Sequence, residues 1–427
     1  MKMNTYLVQS SEKIKWGYII GYFILFIILP PFIGLPLMVS LIWKTKNPKL
    51  SDYILLMACI SIYLGAINAT KSPDGDQVNY YVAYLNVPDL GFLKSLIYIY
   101  GLDYFSDPDR TAISGEFMNG VYNYFGYYLT FGHYPLFAAL YTLVEYMLIF
   151  LGLYKVCRKM DMPKYPIVCG GIILSFFYLF FQYTFQIQKQ FFAQAIMMYV
   201  LGSYAEKGKM TIPLWAGAIC AILTHASTGL FLPFLLYKPL WGRLTKTGLL
   251  FIGGMLFLFI LLGPKMAESV SSSEQGVAGY GLKRLAASEG QDDGASTLVM
   301  SQVLVIALPM FLIVFRQLWL KRKVMIDNTQ AFILNITMLL LLAVASMYTK
   351  PLAQIRFFMM LLAFMPFVYP FVSENVKTRN RFLVLLSVIM VAWFYYQFEL
   401  IVWDYAPEWQ IIAYPPIALI AKGFLQV

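Results

Sequence analysis

No residue between Lys15 and Lys44 carries a charge, and Trp16 to Trp43 is apolar almost throughout. A bilayer's hydrocarbon core is ~30 Å thick and a helix rises ~1.5 Å per residue, so about 20 such residues are enough to cross it. The run is also longer than the roughly 7 to 15 apolar residues at the core of a secretory signal peptide, so it reads as a retained helix. Further apolar runs follow, separated by short loops. With 60% hydrophobic and only 13% charged residues over 427 positions, a water-soluble domain would lack polar surface. The chain is expected to be all-α, a polytopic integral membrane protein forming one transmembrane domain over residues 1–427.

The periodicity and hydropathy predict helices at 17–43, 52–70, 134–154, 166–184, 190–205, 211–224, 228–238, 247–263, 298–319, 330–349, 357–372, 382–403 and 409–422. Of these, roughly 12 to 13 are expected to be spans, the shortest being candidates for re-entrant or broken helices. If the loop Lys44 to Lys49 faces the cytoplasm, the basic loop residues gather on that side, among them Lys155, Arg158, Lys159, Lys164, Lys207, Lys209, Arg243, Arg316, Lys321, Lys377, Arg379 and Lys422. The acids Asp74, Asp76, Asp89, Asp103, Asp107, Asp109 and Glu116 then fall outside. The positive-inside rule gives an outside N-terminus and a cytoplasmic C-terminus, with Lys2, Lys13 and Lys15 as the exceptions. The net charge of +10 is scattered through these loops rather than gathered into a patch, which argues against a nucleic-acid partner. The four cysteines show no pairing or metal-ligand spacing, and no metal or cofactor is indicated.

Two outer segments exceed a connector. Residues 264–297 are small and polar and read as a solvated loop. Residues 71–133 are different, since 16 of the 55 residues from Tyr80 to Tyr134 are aromatic. Amphipathic helices lying along the membrane surface account for that enrichment. So does a glycan groove, where rings stack on sugar C–H faces and carboxamides satisfy hydroxyls. Glu116, Asn119, Asn123 and Tyr127 recur at three- and four-residue steps and share a helix face. Asp76 sits in the turn PDGD beside Tyr80 and Tyr81.

A second polar stripe lies in FFQYTFQIQKQFFAQA, where Gln182, Gln186, Gln190 and Gln194 are spaced by four with Lys189 among them. Such groups at membrane depth pair with one another as interhelical glue or meet a ligand. His225, in ILTHAST, and Arg356, in QIRFF, stand at outer helix ends. Each has a bland alternative, a structural hydrogen bond for the histidine and snorkelling for the arginine.

The succession KSPDGDQVNYY, GEFMNGVYNYFGYYL, QIQKQFFAQAIMMYVL, AILTHAST and QIRFFMM, over roughly residues 60–370, resembles the EpsG/Wzy-like polysaccharide polymerases. Members usually carry arginine where this chain has Lys189, and often where it has Lys71. The charge is kept here and the bidentate fork lost. The resemblance implies an enzyme that joins oligosaccharide repeats carried on undecaprenyl diphosphate into O-antigen or capsule, at the outer face of a bacterial inner membrane. It also implies membrane lipid, a flippase and a chain-length regulator of the same pathway as partners. Such a site needs a base for the attacking hydroxyl and cations for the departing diphosphate. Glu116, Asp76 and His225 are the candidate catalytic groups. Lys189, Arg356, Lys71, Gln186, Gln190, Asn119, Asn123 and Tyr80 are the candidate binding groups. A lipid-linked glycan flippase, a ligase-type glycan transferase and a sugar acyltransferase remain alternatives.

Overall fold

The computed structural model describes residues 13–97, 117–245, 297–321, 326–346, 351–400 and 404–424, with single positions between 247 and 254. Residues 264–296 of the expected polar loop at 264–297, most of the expected helix at 247–263 and residues 98–116 lie outside that set. Among the described residues every regular element is helical. The chain opens with α1 (Trp16–Ile28), α2 (Pro31–Lys44), α3 (Leu50–Asn68), α4 (Asp76–Leu85), α5 (Val87–Ile97) and α6 (Met118–Leu129). Next come α7 (Tyr134–Lys159), α8 (Tyr165–Ser175), α9 (Tyr178–Gln186), α10 (Gln188–Lys207), α11 (Ile212–Thr224) and α12 (Leu232–Leu236). The last group is α13 (Thr297–Phe315), α14 (Asn328–Ser346), α15 (Pro351–Leu362), α16 (Met365–Val368), α17 (Val376–Leu400), α18 (Glu408–Ala413) and α19 (Pro416–Lys422). Among the described residues four helices, α3, α7, α14 and α17, are long and apolar enough to cross a membrane, and α8 with α9, bent by 62°, is a broken span or a re-entrant loop.

The core is a three-helix stack of α3, α7 and α10. α3 runs antiparallel to α7: Tyr53 meets Tyr154 at one end, and Asn68 donates to Thr142 Oγ1 at 3.1 Å at the other. α10 runs parallel to α7, as shown by Tyr141 against Phe192, with ring centroids 4.4 Å apart, and Lys155 against Glu206 at 2.7 Å. A parallel pair requires the chain to return from the end of α7 to the start of α10, and the bent α8–α9 pair makes that return. Glycines set the spacing. A methyl group at Gly202 would lie 2.4 Å from the Gly152 carbonyl oxygen, and one at Gly65 would lie 2.4 Å from that of Ala139. Lipid tails give helices no hydrophobic reason to associate, so such close backbone approach carries the packing.

Several expected helices are corrected. The apolar run 17–43 is two helices of 13 and 14 residues, broken where Leu29 turns extended before Pro30 and Pro31. Proline at α2's first position cannot continue a helix from behind. Each piece rises only ~20 Å, and the pair forms a hairpin, with Phe26 packed on Gly34. Both of its feet are at one end of the molecule: the Lys15 amide donates to Ser51 Oγ at 3.0 Å, and Lys164 Nζ donates to the carbonyls of Trp43 and Thr45. The C-terminal run 409–422 is likewise two helices, of six and seven residues, parted at Pro415. It returns to the opposite end, where the Phe424 amide donates to the Ala69 carbonyl at 3.2 Å. Lys15 therefore joins the loop Lys44–Lys49, while Lys422 leaves it. For Lys15 and Lys422 this is the reverse of the expected grouping with that loop.

That loop marks a basic end. Lys155, Lys164, Arg243, Arg316 and Lys321 are all anchored there, Arg243 donating to the carbonyls of Leu318 and Lys321 and Arg316 to that of Val372. At the other end α4 and α6 lie over the tips of α7, α10 and α11, and α5 packs on α4 and α6.

Candidate functional site

The sequence KSPDGD makes a tight turn into α4. Gly75, at φ +48°, takes a conformation that a side chain would resist, and Asp76 opens the helix. Gln77, Tyr80 and Tyr84 then follow at helical steps and are buried, so one face of α4 is turned inward.

At the head of that face Lys71 is only 1% exposed. Its ammonium pairs with Asp74, donates to Gln77 Oε1 at 3.3 Å and sits 5.8 Å from the centre of the Tyr405 ring. The turn after α17 closes over it: the Ser72 amide donates to the Asp404 carbonyl at 3.2 Å, and the Ala406 amide to Thr70 Oγ1 at 3.1 Å. Burial raises the Asp404 carboxyl above its ordinary value, Lys71 opposes that rise, and Asp74 adds to it. One turn along α4, Lys189 brings a second buried ammonium, 3% exposed, to 5.9 Å from the centre of the Tyr80 ring. Gln186 comes up to Gly75 from the same side, its Nε2 lying 3.7 Å from where a Cβ there would stand.

The expected glutamine stripe is not one helix face. Ile187, at φ −111° and ψ 50°, ends α9, and Gln188 starts α10. Gln182 and Gln186 therefore belong to one helix, Gln190 and Gln194 to the next. The break places Lys189 in the first turn of α10, where it can face α4.

Around the two lysines many buried polar atoms have no hydrogen-bond partner among the described residues. They include the hydroxyl of Tyr405, both side-chain polar atoms of Gln188 and Gln194, and both carboxyl oxygens of Glu145. Protein interiors leave few such groups, because each unmet one is costly. Glu145 is fully buried one turn along α7 from Tyr141, whose hydroxyl donates to the Gln188 carbonyl at 3.3 Å.

Asn119 and Asn123 lie on α6, both buried, with Oδ1 atoms that find no partner among the described residues. Their face continues through Gly126, where a Cβ would meet the Phe137 ring at 2.3 Å, to Thr130, bonded to Tyr84 at 2.5 Å. That is the face turned toward α4 and α7. From the same helix Tyr122 bonds to Thr224 Oγ1 at 3.0 Å. The next residue, His225, is half-buried, and its Nδ1 caps a short helix at Ala226–Phe231 by accepting from the Ser227 amide and meeting the Ser227 hydroxyl at 2.6 Å. One ring nitrogen thus has a structural task.

The structure therefore brings Lys71, Tyr80, Lys189 and Gln186 together, with Gln190 buried in the same turn of α10 as Lys189. It leaves Asp76 exposed to solvent, while Asp74 takes the position at the lysine. Glu116 and the side chain of Arg356 lie outside the described residues. Asp404 and Glu145 were not among the expected site residues. Glu145 carried a signal, being an acid inside an apolar run. Asp404 carried none, because only folding returns the end of α17 to Lys71.

A bundle whose described elements are all helical, with long apolar spans, two buried cations and aromatic and carboxamide groups at one end, defines an integral membrane protein. The chain belongs to the EpsG family, whose model matches residues 95–414. Membership suggests a polysaccharide polymerase role of the glycosyltransferase type. The match starts after α4 and runs through Asp404, so Lys71, Asp74 and Tyr80 lie ahead of it while Lys189 and His225 fall within it. No curated protein and no solved structure matches the chain.

Proposed function

We propose that the protein polymerises oligosaccharide repeats carried on a polyprenyl diphosphate such as undecaprenyl diphosphate, with its basic end in the bacterial cytoplasm and the α4 end outside. The observation that carries this reading is the pair of buried lysines, 1% and 3% exposed, along one face of α4 among tyrosines and carboxamides with unmet polar atoms. Ammonium groups held out of water interact strongly with a diphosphate, whose negative charge grows as it leaves. Carboxamides and rings suit the sugars.

In the reaction, a hydroxyl of one repeat attacks the anomeric carbon of another. The new glycosidic C–O bond forms as the bond to the lipid diphosphate breaks, and the diphosphate keeps the electron pair. A carboxylate takes the hydroxyl proton. Asp404 fits that task better than Asp76, because burial shifts it toward the pH at which a base works best and it stands near Lys71, whereas Asp76 is in open solvent. Glu116 and Arg356 remain candidates for base and second anion clamp.

The test is turnover of purified protein with synthetic lipid-linked repeats. Lys71→Gln and Lys189→Gln are each expected to lower the rate by about a hundredfold, with Lys189→Arg retaining more than the glutamine variant. Wild-type turnover in both glutamine variants would sink the assignment. In cells deleted for the gene, loss of polymer with single repeats still on their final acceptor fits a polymerase. Loss of both points to a flippase or ligase.

A further inference from the structure

At the basic end, the last turns after α13, the start of α14 and the turn leading into α17 enclose a cavity of about 250 Å³. Among the described residues its charged side chains are Lys321, Glu374 and Arg379. Lys321 and Glu374 pair with each other, so the cavity carries an excess positive charge on Arg379. Arg379 is 9% exposed, and its Nε has no hydrogen-bond partner among the described residues. Its electrostatic neighbour on α7 is Cys157, a thiol and not a counter-charge. A guanidinium withdrawn from water in this way is costly unless an acceptor meets it. The backbone amides that open α17 do not draw an anion, since Asn375 Oδ1 already accepts from those of Lys377 and Thr378. The attraction lies in the side chains.

We infer that this cavity binds a phosphate ester. The Arg379 fork matches two phosphate oxygens, Lys321, held by Glu374, offers ammonium N–H donors, and the Gln330 carboxamide adds polar contact. Met162, Ile326 and Phe371 provide apolar wall for the carbon attached to the phosphate. The volume is smaller than the roughly 300–1,000 Å³ of pockets that enclose a drug-sized ligand, and suits a phosphate with its first linked group. An anionic phospholipid headgroup and a soluble phosphate ester share this chemistry. The inference does not depend on the polymerase reading, because the cavity lies at the end opposite α4.

The experiment is thermal unfolding of the full-length protein, first in neutral detergent with glycerol 1-phosphate, then in phosphatidylcholine nanodiscs with increasing phosphatidylglycerol. A ligand that binds only the folded state raises the midpoint in a saturable way. Saturation by glycerol 1-phosphate assigns a soluble ester, and saturation by phosphatidylglycerol alone assigns the lipid. Arg379→Gln is expected to weaken the apparent affinity at least tenfold and Lys321→Gln at least threefold, while Lys377→Gln, exposed beside them, leaves it unchanged. No saturable shift with either probe overturns the proposal, as does wild-type affinity in Arg379→Gln or an equal loss in Lys377→Gln. Should Arg379→Gln fail to fold, wild-type affinity in Lys321→Gln overturns it instead.

Discussion

Lys71 is stabilised by residues from three parts of the chain: Asp74 in its own turn, Gln77 on α4, and the Asp404–Tyr405 turn near the C-terminus. Its charge in turn acts on Asp404, whose carboxyl burial raises and Lys71 lowers. A base works only once deprotonated, so activity gained with rising pH should follow the Asp404 ionisation, above the ~3.9 of an unperturbed aspartate. Removing the Lys71 charge removes the opposing influence, so Lys71→Gln should move the acid limb of the residual rate to higher pH. Asp74→Asn removes a neighbouring negative charge and should move it lower. Rate–pH profiles of the purified variants check both signs, and an acid limb that stays put in both would remove Asp404 from the base's role. Asp404→Asn should itself cost on the order of a hundredfold or more in turnover.

The elements are held by small residues and ended by backbone breaks. Gly152 and Gly202 let α7 and α10 approach until their backbones touch, which fixes the register from Tyr141–Phe192 to Lys155–Glu206. Gly202→Leu would drive a side chain into the Gly152 backbone. Overpacking typically costs about 1 to 3 kcal/mol, and here the obstacle is backbone, so the upper part of that range is expected as a lowered unfolding midpoint. Because α10 carries Lys189, polymer yield should fall with it. An unchanged midpoint would show that the two helices separate without penalty. The break at Ile187 has the opposite use: by interrupting the glutamine run, it turns Lys189 toward Tyr80.

At the scale of the molecule, two half-crossing hairpins enter from opposite ends. The α1–α2 hairpin has its feet at Ser51 and Lys164, and the α18–α19 pair begins and ends near Ala69. In a cysteine-free background, cysteines at Lys13 and Asn47 should therefore share one response to an impermeant thiol reagent in intact cells, and cysteines at Ser72 and Lys422 the other. The basic end should be the protected one. Labelling of Lys13 together with Ser72 would refute the hairpin.

The membrane class and the positions of most helices follow from the sequence, because uncharged runs act locally and need no partner to be recognised. The paired prolines at 30–31 and 415–416 were also visible, yet hydropathy averages over them, so the hairpins read as single spans. The tertiary structure alone decided that α4 turns Gln77 and Tyr80 inward, that Asp74 and not Asp76 meets Lys71, and that Asp404 returns to it. Those are contacts between residues distant in sequence, and their energies depend on burial and on the company each charge keeps. The amino-acid order specifies that company only through the packed fold.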